Sequence, residues 1–207
     1  MVYTQNFVLL IVHYLIELDK ALFLQLNTAS WLRADAFWIF MSSKAAWFLY
    51  GIPVTALFLF KERLAFALRF VWVLLLFLLA DQTANFFKNN IQRPRPCRDT
   101  ELRAEMHFIN ERCSPYGYFS AHAANSMGLV VFCSLGMAAL YPRRRLWIWV
   151  SGIVFSLLVS LSRIMVGVHY PFDIASGWLW GILCALLLYR LALYVQPYLP
   201  ARLRGGL

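Results

Sequence analysis

The sequence predicts an all-α fold: a polytopic membrane helical bundle with about six membrane-associated helices, in a single domain covering residues 1–207. Three observations carry that prediction. Hydrophobic residues make up 61% of the chain and charged residues only 14%, little more than half the share usual in soluble domains. Several apolar stretches reach the ~20 residues needed to cross the hydrocarbon core of a bilayer. Lys and Arg gather in short connections between those stretches, as in loops retained on the cytoplasmic side. A disordered chain is excluded, because disorder requires low hydrophobicity. So is an ordinary soluble enzyme, whose surface this composition could not cover with polar groups.

The elements follow in order. Phe7–Leu26 is apolar but broken by His13, Glu17, Asp19 and Lys20, so it either spans or lies in the interface as an amphipathic helix. Neither Lys nor Arg precedes it and no small-residue cleavage site follows, which argues against a signal peptide. Ala45–Phe60 is short for a span but extends upstream through Phe37–Met41. Leu64–Phe87, Ser120–Leu140, Leu146–Val166 and Phe172–Tyr194 are long enough to span without help. The composition breaks once, at residues 88–119, which are polar, Pro-containing and rich in both charge signs. A connection of that length is expected to be functional.

Charge sets the expected orientation. The net charge is +9. Lys61 and Arg63, then Arg143–Arg145, then Arg190, Arg202 and Arg204 all fall on one side if the spans alternate, and that side is expected to be cytoplasmic. No basic helix with interleaved polar residues appears, so nucleic acid is not an expected partner. Residues 88–119 then face outward, although they hold Lys88, Arg93, Arg95, Arg98, Arg103 and Arg112. Cations placed against the topological rule call for another cause, and an anionic substrate supplies one. Cys97 and Cys113 bracket this loop; they form a disulfide if it faces an oxidising compartment, or are two unrelated thiols. Cys133 and Cys184 lie within spans and read as packing residues.

Three clusters of ionisable residues reach the same outward face. Lys88 is followed seven residues later by Arg95-Pro96, Ser120-Ala121-His122 opens the next span, and Ser162-Arg163 precedes His169 and Asp173. His169 and Asp173 are one helical turn apart, with Pro171 suited to an early helical position. A carboxylate there fixes the imidazole tautomer and leaves the other ring nitrogen as nucleophile or base. Arg163 offers a fork of donors for phosphate oxygens, Ser120 places a hydroxyl at a helix N-terminus, and His122 is a candidate proton donor. Two histidines, several cations and an orienting carboxylate suit phosphoryl transfer.

In these residues the sequence resembles the type 2 phosphatidic acid phosphatase superfamily of membrane lipid phosphatases, whose motifs read K-x6-R-P, P-S-G-H and S-R-x5-H-x3-D. The first appears as Lys88 to Arg95-Pro96 and the third as Ser162-Arg163 through His169 to Asp173. The second appears as Phe119-Ser120-Ala121-His122, with Phe for Pro and Ala for Gly. The likeness covers roughly residues 64–195, and residues 1–60 carry no motif. It implies a metal-independent hydrolase with no cofactor and a phosphohistidine intermediate. His169 would attack phosphorus, Asp173 would orient it, and His122 would protonate the leaving oxygen. Lys88, Arg95, Ser120, Arg163 and the backbone at Ala121 would hold the phosphoryl oxygens. Ala121 lacks the backbone freedom of Gly, which bears on any amide contact there.

Rival readings explain less. A metal site built from His122, His169 and Asp173 would lie among repelling cations. A serine protease pairing Ser120 with His169 leaves those cations without a role. A transporter of phosphorylated lipid is expected to show internal repeats, and none is seen. The expected substrate is a membrane lipid phosphate on the outer side of a bacterial inner membrane. Undecaprenyl diphosphate is the first choice; phosphatidylglycerophosphate, phosphatidic acid and lipid A phosphates are the alternatives. Residues 93–112 and the N-terminal helix are the expected discriminators. Arg93 reads as a contact to headgroup or solvent, and Asp81, Gln82 and Asn85 as hydrogen-bonding support.

Overall fold

The computed structural model describes residues 2–61, 63–109 and 112–200; Glu111, Arg202 and Arg204 lie outside them. Among the described residues eight α-helices run in chain order: α1 (Val2–Asn27), α2 (Asp35–Met41), α3 (Trp47–Lys61), α4 (Arg63–Ile91), α5 (Thr100–Glu105), α6 (Ala121–Leu140), α7 (Arg145–Met165) and α8 (Pro171–Val195). No strand occurs among the described residues, so the chain is an all-α membrane bundle. The four long apolar stretches form helices able to cross a bilayer, over Phe66–Ile91, Ala121–Leu140, Pro142–Met165 and Pro171–Tyr198.

The two weaker stretches behave differently. The Ala45–Phe60 stretch and its upstream extension form a pair, Asp35–Met41 and Lys44–Phe60, bent by 70° at a short break. Ser43 makes that break: its side chain accepts from the N–H of Ala45 and starts a 3-10 turn over Lys44–Ala46. The N-terminal stretch is one continuous helix, α1, which packs on α5, α7 and α8. Its polar residues explain why it stays outside the set of apolar spans. Asp19 and Asn27 are fully buried. The Asn27 amide donates to the carbonyls of His107 and Ile164, each at 3.0 Å, and its carbonyl accepts from the His107 N–H at 2.7 Å.

α6 is the centre of the bundle, buried against α7 and α8 along most of its length. Small residues permit the approach to α8. A Cβ on Gly177 would fall 2.6 Å from the Ser120 carbonyl oxygen, and Gly181, one turn on, lies against Gly128. Close backbone approach through a Gly-x-x-x-Gly spacing is a common way of packing helices where no hydrophobic driving force separates protein from lipid. Its consequence here is local. The start of α6, with His122, is held against the start of α8, with Asp173, and the Ser120 N–H donates to the Asp173 carbonyl at 3.0 Å.

Candidate active site

The polar connection between α4 and α6 folds back on itself. An isolated antiparallel bridge pairs Pro94 with Tyr116, the Gly117 N–H donates to the Arg93 carbonyl, and Cys97 and Cys113 are joined by a disulfide with Cα atoms 6.3 Å apart. Closing a loop of this length stabilises the fold by about 3 kcal/mol in the chain-entropy account. The closure delivers Arg93 and Arg95 to the same end of the bundle as the starts of α6 and α8.

Lys88, Arg95, Ala121, His122, Arg163 and His169, all singled out in the sequence, line one cavity of about 560 Å³. Asp173 is buried behind it. Its Oδ2 faces His169 Nδ1 at 3.4 Å and accepts the Tyr170 N–H at 3.0 Å. The latter contact follows from the sequence, since Tyr170 precedes Pro171 at the first position of α8 and leaves Asp173 able to reach back over the helix start. His169 is set by a tight turn after α7. Gly167 takes the left-handed region (φ 80°), and the His169 and Val168 N–H groups both return to the Arg163 carbonyl. Burial, followed by Arg95, Arg163, Lys88 and Arg93, holds the His169 imidazole well below its ordinary pKa. The ring is therefore neutral near pH 7. With a proton on Nδ1 directed at Asp173, Nε2 keeps a free lone pair.

The cations come from separate elements. Arg95 donates from Nε to the Tyr116 carbonyl at 2.9 Å, and Arg163 donates to both oxygens of Ser42. Arg163 Nε is buried without a partner in the protein, a donor available to an anion in the cavity. His122 is edge-on to Trp47, with ring centroids 6.2 Å apart. Ser120 stands immediately before α6. It is fully buried, and its hydroxyl caps α6 by accepting the Ala123 N–H at 3.4 Å, outside the cavity lining.

Several residues were not legible as part of the site. Arg93, read as a headgroup or solvent contact, instead bridges two buried carboxylates: Nη1 to Asp173 Oδ1 at 2.7 Å and Nη2 to Asp19 Oδ2 at 2.6 Å. Asp19 also accepts the Phe172 N–H at 2.9 Å, which ties α1 to the first turn of α8. The one available signal was an acid inside an apolar run. Gly117 packs on the same group, since a Cβ there would lie 3.0 Å from Arg95 Cγ and 3.4 Å from Asp173 Oδ2. Lys44, Trp47, Phe77, Asp81 and Asn125 complete the cavity wall. A second cavity of about 610 Å³, almost wholly apolar and lying between α3, α4 and α6, shares Trp47 and Phe77 with the first. His107 pairs with Asp35 at 3.0 Å. Among the described residues no group of three or more His, Cys, Asp or Glu side chains is arranged to hold a metal ion.

A helical membrane bundle whose polar end gathers two histidines, a buried carboxylate and several cations defines a class of protein, the integral membrane phosphatases. The chain belongs to the PAP2 superfamily, which it matches over residues 67–197. PAP2 phosphatases are hydrolases acting on phosphoester bonds, and this chain is a membrane lipid phosphatase of that family. It is 30% identical to a lipid A 4'-phosphatase of Porphyromonas gingivalis, over 88% of this chain and 76% of the relative. It is 31% identical to an undecaprenyl-diphosphatase of Sulfolobus acidocaldarius, over 63% of this chain and 57% of that protein. Its fold is shared with a PAP2-type phosphatidylglycerolphosphate phosphatase from Bacillus subtilis, with a TM-score of 0.67, 18% identity and 88% of each chain covered.

Proposed function

We propose that this protein removes phosphate from a lipid phosphomonoester through a phosphohistidine formed on His169, at a single-domain site on the outer side of the bacterial inner membrane. The observation that carries the reading is the cavity in which neutral His169, backed by Asp173, faces Lys88, Arg95 and Arg163. His169 Nε2 attacks phosphorus, and the bond from phosphorus to the lipid oxygen breaks as His122 gives that oxygen a proton. Water then attacks the phosphohistidine, His122 takes up its proton, the phosphorus–nitrogen bond breaks and inorganic phosphate leaves. Lys88, Arg95 and Arg163 hold the equatorial oxygens throughout. Ser120 acts by fixing the start of α6, and Ala121 contributes as cavity wall. No metal or cofactor takes part in these steps.

Two further features support the lipid and the side. The apolar cavity beyond Trp47 and Phe77 gives a hydrocarbon chain a place beside the phosphate site. The Cys97–Cys113 disulfide suits an oxidising compartment.

For the substrate, a lipid A-type phosphomonoester is the first reading and undecaprenyl diphosphate the second. The match to the lipid A 4'-phosphatase spans 88% of this chain, against 63% for the undecaprenyl-diphosphatase. The test is inorganic phosphate release by detergent-purified protein in EDTA, across lipid A, phosphatidylglycerophosphate, phosphatidic acid and undecaprenyl diphosphate. Chelator-resistant release, fastest on lipid A and lost in His169→Ala, is expected. Release that needs a divalent cation, or that survives in His169→Ala, would overturn the mechanism.

A further inference from the structure

The phosphate-binding cations occupy one part of the cavity, while Asp81 and Asn125 form a wall that neither the family motifs nor the mechanism uses. Asp81 lies on α4 seven residues before Lys88, two turns or roughly 10 Å further along the helix from the phosphate site. Asn125 lies on α6 three residues after His122 and so shares its face. His122 marks where the leaving oxygen sits, and Asn125 and Asp81 therefore border the leaving half of the substrate. The shared Trp47 and Phe77 then lead on to the apolar cavity.

The hydrogen bonding of this pair is incomplete in one sense only. Asn125 Nδ2 donates to Asp81 Oδ1 at 2.7 Å, which fixes the amide, because the flipped amide would set oxygen against oxygen. Asn125 Oδ1 is then buried with no partner in the protein, and Asp81 stays exposed at the cavity with acceptor capacity to spare. Two neighbouring acceptors inside a membrane-spanning bundle call for donors, and an ionisable residue at that depth calls for a functional partner.

Resting on the phosphatase reading above, we propose that Asp81 and Asn125 form a specificity subsite that accepts hydrogen bonds from hydroxyl groups of a polyol headgroup, of sugar or glycerol, on the leaving half of the lipid. The pair selects a hydroxyl-bearing phosphomonoester over a lipid phosphate that offers no donor there. A site built to pair with substrate hydroxyls discriminates strongly against analogues without them, since its own polar groups are then left unsatisfied.

The test compares kcat/KM for lipid A, phosphatidylglycerophosphate and phosphatidic acid in the wild type, Asp81→Asn and Asn125→Ala. Phosphatidic acid, with no free hydroxyl beside its phosphate, is the reference. The ratio of lipid A to phosphatidic acid is expected to fall roughly tenfold or more in each variant, the effect of losing a hydrogen bond to a charged or buried acceptor. A fall in the phosphatidylglycerophosphate ratio alone would identify glycerol as the donor source, and a fall in the lipid A ratio alone would identify the sugar. Ratios that stay at the wild-type value, or three rates that fall by one common factor, would overturn the subsite. Absence of phosphate release from every lipid by the wild type would instead overturn the phosphatase reading on which it rests.

Discussion

Residues 63–195 carry every motif residue of the family, and residues 1–60 carry none, yet both segments wall the same cavity. The difference lies in what each touches. Lys88, His122, Arg163 and His169 line the space where phosphate would sit. The first segment mostly touches those residues instead: Asp19 holds Arg93 and the start of α8, Ser42 accepts from Arg163, and Trp47 stands against His122. Reactive groups are constrained by chemistry and so recur as residue types at fixed spacings. Groups that position them are constrained only by geometry, and many sequences satisfy the same geometry.

That contrast can be broken most sharply at the Asp19–Arg93–Asp173 bridge. Arg93→Gln leaves two buried carboxylates facing the space of a lost cation, and breaking a buried pair in this way costs about 3–5 kcal/mol. Turnover on the preferred lipid is expected to fall about a hundredfold, with KM changing far less, because Asp173 no longer aligns His169. A KM increase at constant kcat would place Arg93 in substrate binding instead. Asp19→Asn keeps the bond between Arg93 and Asp173 and an acceptor for the Phe172 N–H, so a loss of about tenfold is expected. The double variant should be no worse than Arg93→Gln alone, since both act through one contact. Additive losses would show that α1 acts on the site by another route.

The smallest effect on chemistry is expected at the disulfide. Cys97→Ser with Cys113→Ser removes a closure worth about 3 kcal/mol and should lower the melting temperature. The turnover of protein that remains folded should change severalfold at most, because Arg95 is also held by Tyr116 and by the Pro115 carbonyl. Loss of turnover matching that of Arg93→Gln, at a temperature well below melting, would mean that the loop closure itself sets the catalytic geometry.

Much of this architecture was legible in the sequence. The four long spans are simple runs of apolar residues, and the spacing from His169 to Asp173 with Pro171 between them dictates a helix start. Harder to read were elements whose signals conflict. Asp19 interrupts an apolar run and weakens it as a span, and the same residue anchors α1 to the site, 74 positions away in sequence from Arg93. Contacts over such distances leave no local period. The bend at Ser42–Ser43 was hidden within a stretch that averages apolar. At Ser120 a hydroxyl at a helix start can serve as an anion ligand, as a cap or as both, and its oxygen caps α6 by accepting the Ala123 N–H. Asn125 could have been found from its position one turn after His122, had the same face of α6 been followed inward.

The most direct test of the account is a rapid denaturing quench of the wild type during turnover of its lipid, followed by mass-spectrometric mapping of phosphorylated peptides. The account predicts a phosphoryl group on the peptide that holds His169, formed in the presence of EDTA and absent from His169→Ala. A phosphoryl group on another residue, or steady phosphate release with no phosphorylated enzyme at any quench time, would contradict it.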